Sequence, residues 1–325
     1  MAGVKRFAVL SDIHYAGPRE QQRGNDYEYR GIENPLLRIL CHYYRHFIWL
    51  RHPLIQNHLL NAFLVEAGEP DHVFALGDYS CDTGFVGVRD DAALESASRC
   101  LQILRNRYGE RLYTLIGDHE LGKFPLIGKR GGMRFESWQR TVHDLKLPPF
   151  WEFEMGAFHC VGITSSLVTL PQMSGEILES DRDHWDAERT LHLERIREIF
   201  NSMPTSKRIL LFCHDPTALP FLWEEPAVQQ CAHRIERTFV GHLHSPLIFW
   251  KSKRLAGIPT IRFLGHSVRK LSNALGRARL WNHFRVELCP SLAGIELLKD
   301  GGFLTGSVSM SSLPRLDLKR HRLRR

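Results

Sequence analysis

Five apolar runs in this chain end in aspartate or histidine, and that pattern limits the possible folds more than any other feature. Arg6–Ser11 leads into Asp12-Ile13-His14, His72–Leu76 into Gly77-Asp78, and Arg111–Ile116 into Gly117-Asp118-His119-Glu120. Arg208–Cys213 leads into His214-Asp215, and Arg237–Val240 into Gly241-His242-Leu243-His244. With Phe158–Thr164 and Thr260–Leu264 there are seven such runs, each of the type expected of a buried strand. Helical patterns fill the gaps at Ala92–Tyr108 and Asp183–Met203; the second spaces Leu191, Ile196, Ile199 and Phe200 along one face. A final pair, Phe284–Leu288 and Gly294–Leu298, is predicted as a hairpin. Strands alternating with helices predict an α/β fold, and such folds place their sites where strands run into loops.

The 325 residues suit one large domain with embellishments, because single cores stop growing at roughly 250–300 residues. The seven cysteines are odd in number and scattered with no CxxC pair, which argues against a disulfide framework and fits a reducing compartment. The start of the chain has no signal-peptide pattern, and no run approaches the roughly 20 apolar residues of a membrane span. A cytoplasmic protein is therefore expected. The net charge of +7 is concentrated at the end: Arg315–Arg325 holds six basic residues against Asp317, which leaves about +2 for the body. A nucleic-acid-binding face is disfavoured on that ground. Residues 1–312 are expected to form the domain and residues 313–325 a flexible, solvated basic tail, with attachment to anionic lipid as the competing reading.

A single histidine at a strand end usually marks a hydrogen-bonded turn. Five of seven junctions ending in Asp or His call for another explanation. Carboxylate oxygens and imidazole nitrogens together suit Mn, Fe and Zn, and paired metals suit hydrolysis by an activated water. Asp12 and His14 lie two residues apart, so an extended segment would point both to one side, as it would His242 and His244.

The order Asp12-x-His14, Gly77-Asp78, Gly117-Asp118-His119-Glu120, His214, Gly241-His242-x-His244 resembles the calcineurin-like metallophosphoesterase family. The resemblance spans residues 6 to about 267. It implies a four-layer α/β (α+β sandwich) fold, two facing β-sheets flanked by helices, with two divalent ions (Mn²⁺, Fe²⁺ or Zn²⁺) at one edge. It implies that Asp12, His14 and His244 bind the first metal, that Asp78 bridges, and that Asp118, His214 and His242 bind the second. His119 would be the catalytic residue, contacting the phosphate and protonating or stabilising the leaving oxygen. The implied activity is hydrolysis of a phosphate ester or pyrophosphate bond by metal-activated hydroxide. Asp118 departs from the family's usual Asn. An ionised carboxylate there lowers the positive charge of the loaded centre by one, which should tighten the second metal and weaken attraction for phosphate.

Among the neighbours, Asp82 and Asp215 are read as turn formers, Cys81 as a bystander and His266 as a structural histidine. Glu120 either orients His119 or starts a helix. Specificity must come from insertions, and the distinctive one runs from about 16 to 69. In it Leu37, Leu40, Tyr44, Phe47 and Ile48 recur at helical spacing, with Arg38 and Arg45 as candidate substrate-binding cations. The plain expectation is a helix packing its apolar stripe on the core. The sharper one is a basic, aromatic-rich cap for acyl chains or a membrane surface, similar to that of bacterial UDP-diacylglucosamine pyrophosphohydrolases. The substrate would then be a nucleotide- or lipid-linked diphosphate, with peripheral contact at the inner membrane face. The competing class is a non-catalytic metal-binding scaffold of the same fold, and retention of all seven ligand positions and His119 disfavours it.

Overall fold

The computed structural model describes residues 3–125, 127–128, 130–263, 266–310 and 315–323, with His266 and Ser267 by their backbone alone. The strands are β1 (Val4–Leu10), β2 (His72–Ala75), β3 (Leu112–Thr114), β4 (Phe150–Met155), β5 (Phe158–Ile163), β6 (Arg208–Cys213), β7 (Ile235–Val240), β8 (Val286–Leu288), β9 (Gly302–Ser309) and β10 (Leu316–Arg322). They form two mixed five-stranded sheets flanked by helices, ordered β10-β9-β1-β2-β3 and β4-β5-β6-β7-β8. Strands β1, β2 and β3 run parallel, as do β5 to β8, while β4, β9 and β10 are antiparallel additions.

The apolar runs are continuous because both faces of each sheet are covered. In β1, Phe7 and Val9 face the opposite sheet, while Ala8 and Leu10 face the helices. In β6, Leu210 and Phe212 take the inner face and Ile209, Leu211 and Cys213 the outer. Aromatic rings join the sheets: Phe74 stacks on Phe212 at 4.2 Å, and Phe7 meets Phe239 edge-on at 5.9 Å. Such pairs add about 0.5–1.5 kcal/mol each beyond area burial. Helices Asp91–Tyr108 and Arg182–Ser202 supply the outer layers through Cys100, Leu101 and Leu104, and through Ile196, Ile199 and Phe200. No helix among the described residues is long and apolar enough to cross a membrane.

Four expectations are corrected. Residues 260–263 lie in no strand, and Leu264 lies outside the described residues; the place beside β7 is taken by β8. There is no hairpin at 284–298, because Phe284 closes a 3₁₀ turn and the chain after β8 runs into a turn at 296–299 instead of a second strand. The basic tail is not a loose end: Leu316–Arg322 pairs with β9 along its whole length, and Leu323 is buried in the core. Its polar residues alternate outward, as suits an edge strand that must resist pairing with another chain. The cap stripe does not pack on the core either. No residue of helix Pro35–Tyr44 is buried, and Leu37, Leu40, Tyr44, Phe47 and Ile48 are all exposed.

Candidate metal centre

The C-terminal ends of β1, β2, β3, β6 and β7 lie along one edge of the two sheets, and the loops leaving them converge. Asp12, His14, Asp78, His242 and His244 all adopt left-handed backbone, with φ between 49° and 61°. That conformation costs on the order of 1–2 kcal/mol per non-glycine residue, and such strain concentrates at functional sites. The strain is offset by hydrogen bonds between loops. The Asp12 N–H donates to Gly77 O at 3.2 Å and the His14 N–H to Asp78 O at 3.0 Å. The His242 N–H donates to Asp12 Oδ2 at 3.0 Å. The segments are therefore not extended, and convergence comes from the left-handed turns rather than strand alternation. Glycines make room: a Cβ on Gly77 would lie 2.6 Å from Gly117 N, and one on Gly241 2.7 Å from Asp12 Oδ2.

All seven expected ligands come together. The ligand atoms of Asp78, Asp118, His214 and His242 lie within 4.8 Å of one another, as do those of Asp12, His14 and His244, and those of His14, Asp78 and His119. His214 Nε2 is 3.0 Å from Asp118 Oδ1 and 3.2 Å from Asp78 Oδ2. His242 Nδ1 is 3.2 Å from Asp118 Oδ1, and His244 Nε2 is 3.3 Å from Asp12 Oδ1. Asp78 belongs to two of the groups, which suits a bridging position.

Each carboxylate has one oxygen held by the protein and the other turned inward. Asp12 Oδ2 accepts from Ser11 Oγ at 2.5 Å, and Asp78 Oδ1 from the His119 N–H at 3.0 Å. Asp118 Oδ2 faces the Lys123 ammonium at 2.6 Å. Asp12 Oδ1, Asp78 Oδ2 and His14 Nε2 are buried without a hydrogen-bond partner. Buried polar atoms are normally satisfied, so three orphans in one cluster are what cation ligands look like. The imidazoles are oriented from behind: Nδ1–H of His14 donates to Ser80 O at 3.3 Å and that of His214 to Leu76 O at 2.9 Å. Each leaves Nε2 facing inward.

The electrostatics match dense packing of opposite charges. Burial pushes the Asp12 carboxyl up. For Asp78, burial and Asp118 push up, but His214 and His119 outweigh them and hold it low. Burial also raises Asp118, but Lys123 and His242 bring it well below the usual carboxylate range. Burial and then Lys123 lower His119 to about 3, so it is neutral in the bare centre. Its Nδ1–H donates to Cys81 O at 2.8 Å, and Nε2 faces Asp78 Oδ2 at 3.8 Å.

The family description calcineurin-like phosphoesterase matches residues 5–246, which include every residue of the three groups. The chain belongs to the calcineurin-like phosphoesterase family. This phosphoesterase is accordingly a metal-dependent hydrolase of phosphate esters, and its family implies two divalent metals. No curated protein matches the chain. Among solved structures, a dimetal phosphatase from Danio rerio is 14% identical, with 97% of this chain and 95% of that one covered and a TM-score of 0.51, which is a likeness of fold. A purple acid phosphatase from yellow lupin seeds (13%, 75% of this chain, TM-score 0.37) and the phosphopantetheinyl hydrolase of Mycobacterium tuberculosis (12%, 76% of this chain and 85% of that one, TM-score 0.38) align more loosely. The chain spans only 38% of the lupin protein.

The neighbours have clearer tasks than the sequence suggested. Of the two readings for Glu120 the helix start holds: it stands in the first turn of helix Asp118–Leu121 and binds the N–H groups of Asp78, Tyr79 and Gly117. The Cys81 thiol joins none of the metal groups, while the backbone carbonyl of that residue holds His119. Asp82 accepts from the Val86 and Gly87 N–H groups, as a turn former does. Asp215 caps a turn through Thr217 and also sits 3.9 Å from His242 Nε2. The His266 side chain lies outside the described residues. Arg45 is paired with Glu28 at 2.8 Å and Arg38 donates to Ile32 O, so neither joins the metal groups. Lys123 was missed; a lysine five residues beyond Asp118 carries no signal until the loop folds back.

Proposed function

We propose that this protein hydrolyses a phosphate ester or pyrophosphate with two divalent cations held by the seven ligands, and that manganese serves. Asp12, His14 and His244 form the first site, Asp118, His214 and His242 the second, and Asp78 the bridge. The observation that carries this reading is the set of inward, unpartnered atoms on Asp12, His14 and Asp78. When bound, the two cations supply an activated water and offset charge on the phosphoryl oxygens. The chain's own residues do the rest. Ser11, Ser80, Leu76 and Glu120 hold the ligands in place, and Cys81 O fixes His119 through Nδ1–H, so that Nε2 would serve the leaving oxygen once it takes up a proton beside the bound phosphate anion. The test is hydrolysis of a monoester, a diester and a UDP-linked pyrophosphate by metal-stripped protein reloaded with Mn²⁺. Turnover lost in both His119→Ala and Asp78→Ala supports the reading; turnover without added metal rejects it, and so does bound metal with no ester cleaved, which would favour a binding scaffold.

The substrate class we propose is an amphiphilic, lipid-linked diphosphate taken at a membrane face. Its support is the cap. The exposed apolar residues of Pro35–Trp49 lead directly to Trp49, whose ring lies 5.0 Å from that of His244. The Trp49 and Ile48 carbonyls are tied to the Glu296 and Leu297 N–H groups, so the cap is anchored at the rim of the centre. Contiguous exposed apolar side chains on a helix suit lipid more than water. Comparing the UDP-linked pyrophosphate with and without acyl chains tests this; equal kcat/KM for both would reject it.

A further inference from the structure

The three inward carboxylates differ in what holds their outer oxygens. Ser11 Oγ and the His242 N–H hold Asp12, and the His119 N–H holds Asp78, all neutral donors. Asp118 is held by a full positive charge, the Lys123 ammonium at 2.6 Å from Oδ2, while Oδ1 faces His214 and His242. Lys123 is set firmly for this: its N–H donates to Phe85 O at 3.3 Å, and its carbonyl accepts from the Gly132 N–H at 3.1 Å. Its side chain is only 20% exposed. A lysine is rarely buried so far without a charge to answer.

We propose that Lys123 is a built-in cation of the metal centre, cancelling the third carboxylate and presenting its spare N–H donors to the phosphoryl group of the substrate. The proposal rests on the phosphoesterase reading and deepens it. With the outer oxygen of Asp118 taken by the ammonium, Asp118 is a one-oxygen ligand, as a neutral amide carbonyl would be. The loaded centre regains the charge of one built on two carboxylates. An ammonium has three donors, and Asp118 Oδ2 occupies one. The pair therefore does the work of an amide, with one oxygen to the metal and an N–H to phosphate, and adds a full charge near the anion. The expectation that Asp118 weakens phosphate binding is replaced by one in which Lys123 restores it.

The experiment uses full-length Lys123→Met, Asp118→Asn and the double variant. Calorimetry measures Mn²⁺ affinity and, on the loaded protein, affinity for inorganic phosphate. Lys123→Met leaves a surplus carboxylate, so Mn²⁺ should bind roughly tenfold tighter and phosphate roughly tenfold weaker. Asp118→Asn leaves a surplus ammonium, and both changes should reverse in sign. The double variant, neutral at both positions, should return Mn²⁺ affinity towards wild type and recover part of the phosphate affinity; it keeps the test open if Lys123→Met does not fold. Lys123→Met with both affinities within about twofold of wild type would overturn the proposal, as would a double variant no different from Lys123→Met. Neither readout needs turnover, so a wild-type protein that binds Mn²⁺ and phosphate but cleaves no ester sinks the phosphoesterase reading separately.

Discussion

Glu120→Ala should loosen the centre without touching a ligand. Glu120 Oε2 accepts from the N–H groups of Asp78 and Gly117, both at 2.9 Å, and Oε1 from the Tyr79 N–H at 2.8 Å. One fully buried carboxylate thus clamps the loops after β2 and β3, and holds Asp78 in its left-handed conformation. Alanine orphans three buried donors, each costing about 1–3 kcal/mol, or about 6 together. Part of that is returned. Burial and the Asp78 carboxylate push Glu120 up to about 7, so holding it ionised at pH 8 costs about 3 kcal/mol. The net loss at pH 8 is then about 3 kcal/mol, a large share of the roughly 5–15 kcal/mol of a typical domain. The sign with pH follows from proton binding. Between the ordinary carboxylate value of 4.5 and about 7 the folded state binds more protons than the unfolded, so wild-type stability falls as pH rises through that window. The variant lacks that slope, and the gap between the two proteins narrows by about 3 kcal/mol from pH 4.5 to 7. Urea unfolding of metal-free protein at several pH values measures it, with Mn²⁺ stoichiometry as the functional readout. A variant within about 1 kcal/mol of wild type at pH 8, still binding its full Mn²⁺ complement, would refute the clamp.

His119→Ala should lower kcat roughly 10²–10⁴-fold while Mn²⁺ stoichiometry stays unchanged, and loss of metal instead would make His119 a ligand. His192, in helix Arg182–Ser202, accepts the Thr164 N–H at 3.2 Å, and burial lowers it to about 4. The unfolded chain binds more protons between about 4 and 6.5, so His192 makes stability rise with pH across that window by about 3 kcal/mol, and His192→Gln should flatten that part of the profile in urea titrations. Ending the chain at Ser312 removes β10 and buried Leu323, and should cost at least about 3 kcal/mol of stability; an unchanged melting temperature would return the tail to a solvated end. Gly77→Ala should displace the loop after β3 and reduce Mn²⁺ binding, since its Cβ meets the Gly117 backbone in a left-handed position; unaltered Mn²⁺ affinity would show the loops can give way.

Much of this protein was legible without coordinates because burial on both sheet faces writes strands as unbroken apolar runs. Six of the seven runs are strands, and the Asp and His residues ending five of them are the ones that converge. Where neighbours decide, that legibility fails. Leu316–Arg322 carries the charges of a loose tail, and only the open edge of β9 makes it a strand. The cap stripe has the period of a packed helix, yet none of the residues of Pro35–Tyr44 is buried among the described residues. The sequence by itself determined which side chains could meet, since residue types and their places after strands are local properties. Tertiary structure alone decided how they meet: left-handed turns aim Asp12 and His14, Glu120 clamps two loops forty residues apart, and Lys123 folds back onto Asp118. Those contacts join segments distant in the chain, and the energy that selects them exists only once the sheets have brought the loops together.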